Sequence, residues 1–337
     1  MDKLMVQAVA GAGKTTFLLE QLNLKDNVAL ITYTENNQEQ LKENIIKKFG
    51  YLPSNIHVFG LFEFLYSFCY RPLQNKYPVN GICFEQPPYY SKGFHLQDGR
   101  IYSNQISRFL LIEGVHYLSR IERFFSHFYI DEVQDIAADD FDWLMSLKNL
   151  NIPVTLVGDF HQATFVSSRR GNKGKGTYSN FENYKSQFKN NGFYFEENKL
   201  IASHRCSKSV SQFIKNKLDI RMESHRDDET NIKLLTDSDS IKEVLENDRI
   251  IKLFYQNSKK YSIRADNWGN VKGLGFQDVC VILNPTTYKK FPEQLNELAA
   301  TTLSKFYVAC TRTKGNLYFI EESKIPSAFK KLQIVKK

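Results

Sequence analysis

Residues 9–16 read VAGAGKTT, a glycine-rich turn that closes on a lysine and a threonine. Backbone N–H groups from Ala10 through Gly11, Ala12, Gly13, Lys14, Thr15 and Thr16 would point at one spot at a helix N-terminus, where the helix dipole favours an anion. In this spacing the Lys14 ammonium would reach the β- and γ-phosphates of a nucleotide, and the Thr15 hydroxyl would ligate Mg²⁺. The general pattern G-x-x-x-x-G-K-[ST] has glycine at position 8, where this chain has Ala8. A glycine-rich turn can also simply end a strand. The strand–turn–helix setting here favours phosphate binding.

A second stretch, YIDEVQD (129–135), places Asp131 and Glu132 at the end of an apolar run. Alone, an acidic pair after a strand is usually a solvated turn. Beside a phosphate loop it reads as hydrolytic machinery. Asp131 would hold Mg²⁺ through water, and Glu132 would orient and deprotonate the attacking water.

These residues need a scaffold that brings strand ends together. Apolar runs alternate with helical spacing along the chain. The runs 4–10 and 27–34 read as strands, 14–24 and 36–49 as helices, and 124–135 and 153–159 as further strands. Strands apolar on both faces imply a parallel sheet covered on both sides. The rhythm breaks between about 63 and 123, which reads as a small insertion. A second α/β unit is expected from about 193, with strands at 191–200, 249–255, 278–283 and 316–321. The expected division is therefore 1–62 with 124–192, an insertion at 63–123, and 193–337.

The 337 residues suffice for two ordinary domains. A net charge of +8 favours an acidic partner, nucleic acid foremost. The five cysteines are scattered and form no C-x-x-C pair, so neither a zinc site nor a disulfide framework is indicated. With no long apolar run and no secretory start, the expected place is the cytoplasm, with no membrane partner. Oligomeric state is not legible.

In order along the chain, ITYTENNQEQLKENI, DEVQD, LVGDFHQATF, LIASHRCSKSV, VKGLGFQDVCVIL and FYVACTRTKGNLYF accompany the phosphate loop. This set resembles the UvrD/Rep-like group of superfamily 1 helicases and translocases, from about residue 8 to residue 320. The resemblance implies an α/β fold of two RecA-like parallel-sheet lobes, a P-loop NTPase, with a small insertion in the first lobe. It implies ATP and Mg²⁺ as cofactors, hydrolysis at the cleft between the lobes, and 3′→5′ movement on single-stranded DNA, RNA being left open. Gln162 would sense the γ-phosphate. Arg205 and Arg312 would act as arginine fingers. His204 stands where the family has an adenine-stacking Tyr, and Gly273 would approach the nucleotide by its backbone. On the nucleic-acid side the resemblance assigns Tyr33, Thr34, Asn36, Phe62 and Lys272. Core packing for Tyr33 and Phe62, and a solvated side chain for Lys272, are the alternatives. The basic loop with Arg169, Arg170, Lys173 and Lys175 would track a phosphate backbone, or lie in solvent.

Departures from the pattern are specific. Few residues precede the phosphate loop, so the family's adenine-reading Gln is missing and relaxed base selectivity, with GTP use left open, is expected. Ser167 stands near the place of a base-stacking aromatic. Gly60, Gly269 and Gly275 replace a His, a His and a Glu. Each large family insertion is reduced or missing. A second expectation follows: a nucleic-acid-gated ATPase subunit that regulates a protein partner, such as a nuclease in bacterial antiviral defence. The aromatic-rich stretches near 70–80 and 85–94 would then be its docking face. A nucleotide kinase is disfavoured, because it needs neither DEVQD with VGDxxQ nor the two arginines.

Overall fold

The computed structural model describes residues 3–74, 80–85, 93–96, 98–113, 116–164, 167, 176 and 180–331. Its contacts divide the chain into two units. The first comprises Met1–Gln7, Lys14–Phe160 and Phe165–Lys199, and the second Ala8–Gly13, His161–Thr164 and Leu200–Lys337.

The first unit is built on a sheet of β1 (Lys3–Ala8), β2 (Val28–Thr32), β3 (Ile56–Gly60), β6 (His127–Ile130), β7 (Val154–Gly158) and β8 (Tyr194–Leu200), after a short pair β4 (Ile82–Cys83) and β5 (Ile101–Tyr102) is set aside. The order across the sheet is β3-β2-β6-β7-β1-β8. The pairings β3–β2, β2–β6, β6–β7 and β7–β1 are parallel. Every residue of β2 and β7 is buried, as a sheet covered on both faces demands. Helices Lys14–Gln21 and Glu35–Phe49 follow β1 and β2. The second helix is capped by the Thr34 hydroxyl, which accepts from Asn37 N–H at 3.2 Å, and ends on Gly50 at φ 82°.

Described residues between β3 and β6 pack into the core of the sheet. Phe64, Leu65, Cys69, Tyr70, Ile106, Phe109, Leu110, Tyr117 and Ile121 share one hydrophobic cluster with Ala29, Ile31, Phe128, Ile130, Val154 and Leu156 of the sheet. A π-helical run, Phe64–Tyr70, turns the chain out of β3. Tyr70 is buried and its hydroxyl lies 2.7 Å from His95 Nε2, so this ring of the aromatic stretch is core rather than surface. Residues 75–79 and 86–92 of that stretch lie outside the described residues.

The second unit carries a short pair, β9 (Ala202–Ser203) and β10 (Glu223–Ser224), and a sheet of β11 (Ile232–Leu235), β12 (Ile250–Phe254), β13 (Ala265–Asn267), β14 (Asp278–Leu283) and β15 (Leu317–Glu321). The order is β11-β15-β14-β12-β13 and all four pairings are parallel. Helix Ala300–Cys310 buries Phe306 through Cys310 in the same cluster as Val279, Val281 and Phe319.

The α/β class with two parallel sheets agrees with the expectation. One assignment is corrected. The strand expected at 191–200 to open the second unit is β8, and it lies at the edge of the first sheet beside β1. Its aromatic side is the reason: Phe193 and Phe195 pack with Tyr184 and Phe188 in the first cluster. Strands β3, β11 and β13 of the two sheets, and the short pairs β4–β5 and β9–β10, are not among those expected from the sequence. Exposed or half-buried positions interrupt the runs of β3, β11 and β13.

Candidate functional site

β6 and β7 are inserted between β1 and β2, although β2 follows β1 in the chain. Such a reversal leaves a crevice outside the carboxyl ends of the strands. Neighbouring strands stand about 5 Å apart. The carboxyl ends of β1 and β6, two places apart in the sheet, therefore lie about 10 Å apart.

In the first unit, Lys14 opens helix Lys14–Gln21, whose first turn carries no acidic side chain to offset the positive dipole end. The Lys14 ammonium stands 3.6 Å from Glu132 Oε1, both side chains largely buried. Asp131 is buried, and its Oδ1 accepts from the Glu132 N–H at 2.8 Å. Glu132 sits at φ 55°, ψ 41°, a left-handed conformation that a non-glycine residue adopts at a cost. That twist ends the strand and starts a single 3-10 turn, Val133–Asp135.

Gln134 locks this turn to the end of β7. Its Nε2 donates to Glu132 Oε2, and its Oε1 accepts from Asp159 N–H at 2.9 Å. Gly158 makes room for it: a Cβ there would lie 2.7 Å from Gln134 Oε1. Gln134 stands inside DEVQD, yet its bridging role was not anticipated, because the partner is 25 residues away.

In the second unit, Gly11 and Gly13 have φ of 75° and 84°. A Cβ on Gly11 would lie 2.7 Å from both Arg205 Cβ and Ser203 Oγ, so glycine is required there twice over. The Gly11 carbonyl accepts from His204 N–H at 2.9 Å, and Ala10 N–H donates to the Tyr307 hydroxyl at 2.9 Å. Arg312 is 1% exposed. Its guanidinium donates to the carbonyls of Val308 at 3.0 Å and Leu274 at 3.3 Å, to Thr311 Oγ1 at 3.1 Å and to Gln162 Oε1 at 3.4 Å. Arg205 donates to the Thr311 carbonyl at 3.4 Å. Thus Gly11, Gln162, Arg205 and Arg312, scattered over 300 positions of sequence, occupy one neighbourhood.

Two further residues brace this set, Arg226 on Arg205 and His225 on His204. Arg226 donates to the carbonyls of Arg205 and Lys314 while paired with Asp228. His225 stacks on His204, centroids 4.0 Å apart and rings 12° from parallel. Neither had a sequence signal beyond its position after β10. Gly273 is exposed at φ 85° with open space around it, and Lys272 is half-buried.

The expected nucleic-acid residues divide. Tyr33 and Phe62 are half-buried with ring centroids 6.2 Å apart. Burial, then the Asp140 and Asp135 carboxylates, raise the Tyr33 hydroxyl above its ordinary pKa. Thr34 and Asn36 are exposed, with the Thr34 hydroxyl engaged as the helix cap. Arg169, Arg170, Lys173 and Lys175 lie outside the described residues. Ser167 turns inward: its hydroxyl donates to Asp140 Oδ2 at 2.7 Å, and its N–H to the Asp135 carbonyl at 2.7 Å. Asp140 also accepts from Ser107 at 2.6 Å. Among the described residues no cluster of three His, Cys, Asp or Glu side chains is arranged for a metal, and no helix is long and apolar enough to cross a membrane. The five cysteines are all free and buried.

No protein-family model matches the chain, and no curated protein does. Solved structures do. An arterivirus nonstructural protein 10 helicase in complex with DNA aligns over 98% of this chain and 63% of its own, at 16% identity and TM-score 0.52. The arterivirus nonstructural protein 10 helicase alone aligns over 98% and 62%, at 14% identity and TM-score 0.51. The chain thus spans less than two thirds of the length of these helicases. What they share with it is the fold, an α/β arrangement with RecA-like parallel sheets.

Proposed function

We propose that this chain is an ATP-hydrolysing motor of the UvrD/Rep-like type that moves on single-stranded DNA, 3′→5′. The observation that carries the reading is the pairing of Lys14 with Glu132 at 3.6 Å, at the carboxyl edge of a sheet whose strand order reverses there. Lys14 neutralises phosphate charge. Glu132, held by Gln134 in a strained left-handed turn, orients and deprotonates the attacking water. Gln162, Arg205 and Arg312 are the γ-phosphate sensor and the arginine fingers, a class of group worth about 10³–10⁵ in rate. His204 would stack on the base, and Gly273 would approach the nucleotide by its backbone.

The oxygen donors fit Mg²⁺, a hard cation that keeps several waters and takes one or two protein ligands beside phosphate. Thr15, at the start of the helix, and buried Asp131 would hold it. When bound, it supplies charge neutralisation on the phosphates. Tyr33, Thr34, Asn36, Phe62, Lys272 and the loop of Arg169 and Arg170 would meet the strand.

The test is ATP hydrolysis by the purified chain with and without single-stranded DNA, beside Glu132→Gln and Arg312→Ala. Hydrolysis raised several-fold by DNA and lost in both variants is expected. No hydrolysis under either condition would sink the reading. A second reading, a nucleic-acid-gated ATPase that switches a partner such as a nuclease, is favoured by Ser167. Where a base-stacking ring would stand, a hydroxyl is tied to Asp140. DNA-stimulated hydrolysis without strand separation would select it.

A further inference from the structure

Phe84 follows the two-residue strand β4 and is 68% exposed, the highest value among the exposed large hydrophobic side chains of the described residues. A single exposed apolar side chain is ordinary. This one is the end of a row. Its ring centroid lies 6.0 Å from that of Phe62, at 88°, and Phe62 lies 6.2 Å from Tyr33, at 55°. The row runs outward from the carboxyl end of β2, where Tyr33 follows Thr32, to the segment between β3 and β6. Burial changes along it from half-buried Tyr33 and Phe62 to open Phe84.

Phe84 is not on a loose tip. Ile82 and Cys83 pair with Ile101 and Tyr102, and Cys83 is 2% exposed, so the backbone leading to the ring is anchored. The near-perpendicular contact with Phe62 leaves most of the Phe84 side chain open to solvent. Thr34 and Asn36, both exposed, flank the inner end of the row with polar groups. A graded aromatic row with polar flanks, on a chain of net charge +8, suits a polyanion that carries flat apolar rings.

We propose that Phe84 extends the Tyr33–Phe62 pair into a three-ring platform on which successive bases of a single nucleic-acid strand stack. The proposal deepens the motor reading and rests on it. Phe84 contributes through base faces rather than phosphate charge, so its contribution is tolerant of sequence and insensitive to salt.

The experiment measures binding of fluorescein-labelled oligo-dT, and of an abasic deoxyribose-phosphate strand of equal length, to the wild-type chain, Phe84→Ala and Phe84→Trp. Thermal midpoints of all three check folding. We expect Phe84→Ala to weaken oligo-dT binding about 5- to 150-fold, the range for losing one stacking ring, with the abasic strand bound as by wild type. Phe84→Trp should bind oligo-dT at least as well as wild type. Its added indole should be quenched by oligo-dT, distinguishable because Trp143 and Trp268 are fully buried. Oligo-dT binding unchanged in Phe84→Ala overturns the proposal while leaving the motor reading intact. Equal weakening toward both strands also overturns it, since bases would not be the contact. If wild type binds neither strand, both readings fall. If Phe84→Ala instead abolishes concentration-dependent self-association, the ring belongs to an interface between copies, and the proposal is wrong.

Discussion

The Tyr307 hydroxyl accepts a hydrogen bond from Ala10 N–H at 2.9 Å, joining the glycine-rich turn to the helix that leads into Arg312 across 297 positions of sequence. Tyr307 is fully buried, and its carbonyl receives the N–H and hydroxyl of Thr311. One side chain therefore fixes a loop amide while its backbone fixes the residue before the arginine. Replacing Tyr307 with Phe keeps the ring and strands the Ala10 donor. Loss of about 1–3 kcal/mol of folding stability is expected, read from denaturant midpoints. An unchanged midpoint would mean the amide finds another acceptor.

Glu132→Gln keeps the left-handed turn and the length of the side chain but removes the base. A fall of about 10²–10⁴ in ATP turnover is expected, with nucleotide affinity retained, measured by steady-state hydrolysis and equilibrium binding. Retained turnover would move the base to another group.

Gly11→Ala places a Cβ 2.7 Å from Arg205 Cβ and Ser203 Oγ, at a φ of 75°. Both effects act on one residue. A positive φ alone costs about 1–3 kcal/mol. Loss of stability together with at least about tenfold weaker binding of a fluorescent ATP analogue is expected, the tenfold being about 1.4 kcal/mol. Wild-type behaviour in both assays would contradict the close approach.

Burial raises the Asp140 carboxyl from 3.8 to about 6, against the lowering effect of the Ser107 and Ser167 hydrogen bonds. The folded pKa exceeds the unfolded one. The contribution to stability is therefore complete below about pH 4 and is lost as pH rises through about 6. The shift corresponds to roughly 3 kcal/mol. Asp140→Asn should remove this slope, so that the stability difference between wild type and variant changes between pH 4 and 7. Parallel curves would show an ordinary carboxylate.

The chain itself determined the local patterns that sit on contiguous residues. The glycine-rich turn at Gly11 to Thr15 and the acidic strand end at Asp131-Glu132 are legible because each pattern lies within a few positions. The parallel-sheet class is legible for a similar reason: β2, β7 and β12 are mostly apolar and buried at every position, as cover on both faces requires. Helix Glu35–Phe49 carries its cap and its terminal glycine in its own sequence.

Tertiary structure decided what depends on distant partners. Strand β8 reads as a strand wherever it pairs, and its place beside β1 rests on Phe193 and Phe195 meeting Tyr184 and Phe188. Ser167 reads as a missing aromatic, while its hydroxyl serves a buried carboxylate 27 positions away. Tyr307 on Ala10, Arg226 on two carbonyls and Phe84 at the end of an aromatic row have no local signature at all. Periodicity reports that a side is buried, because burial repeats along the element. The partner it is buried against is set by packing between elements, which leaves no period in the sequence.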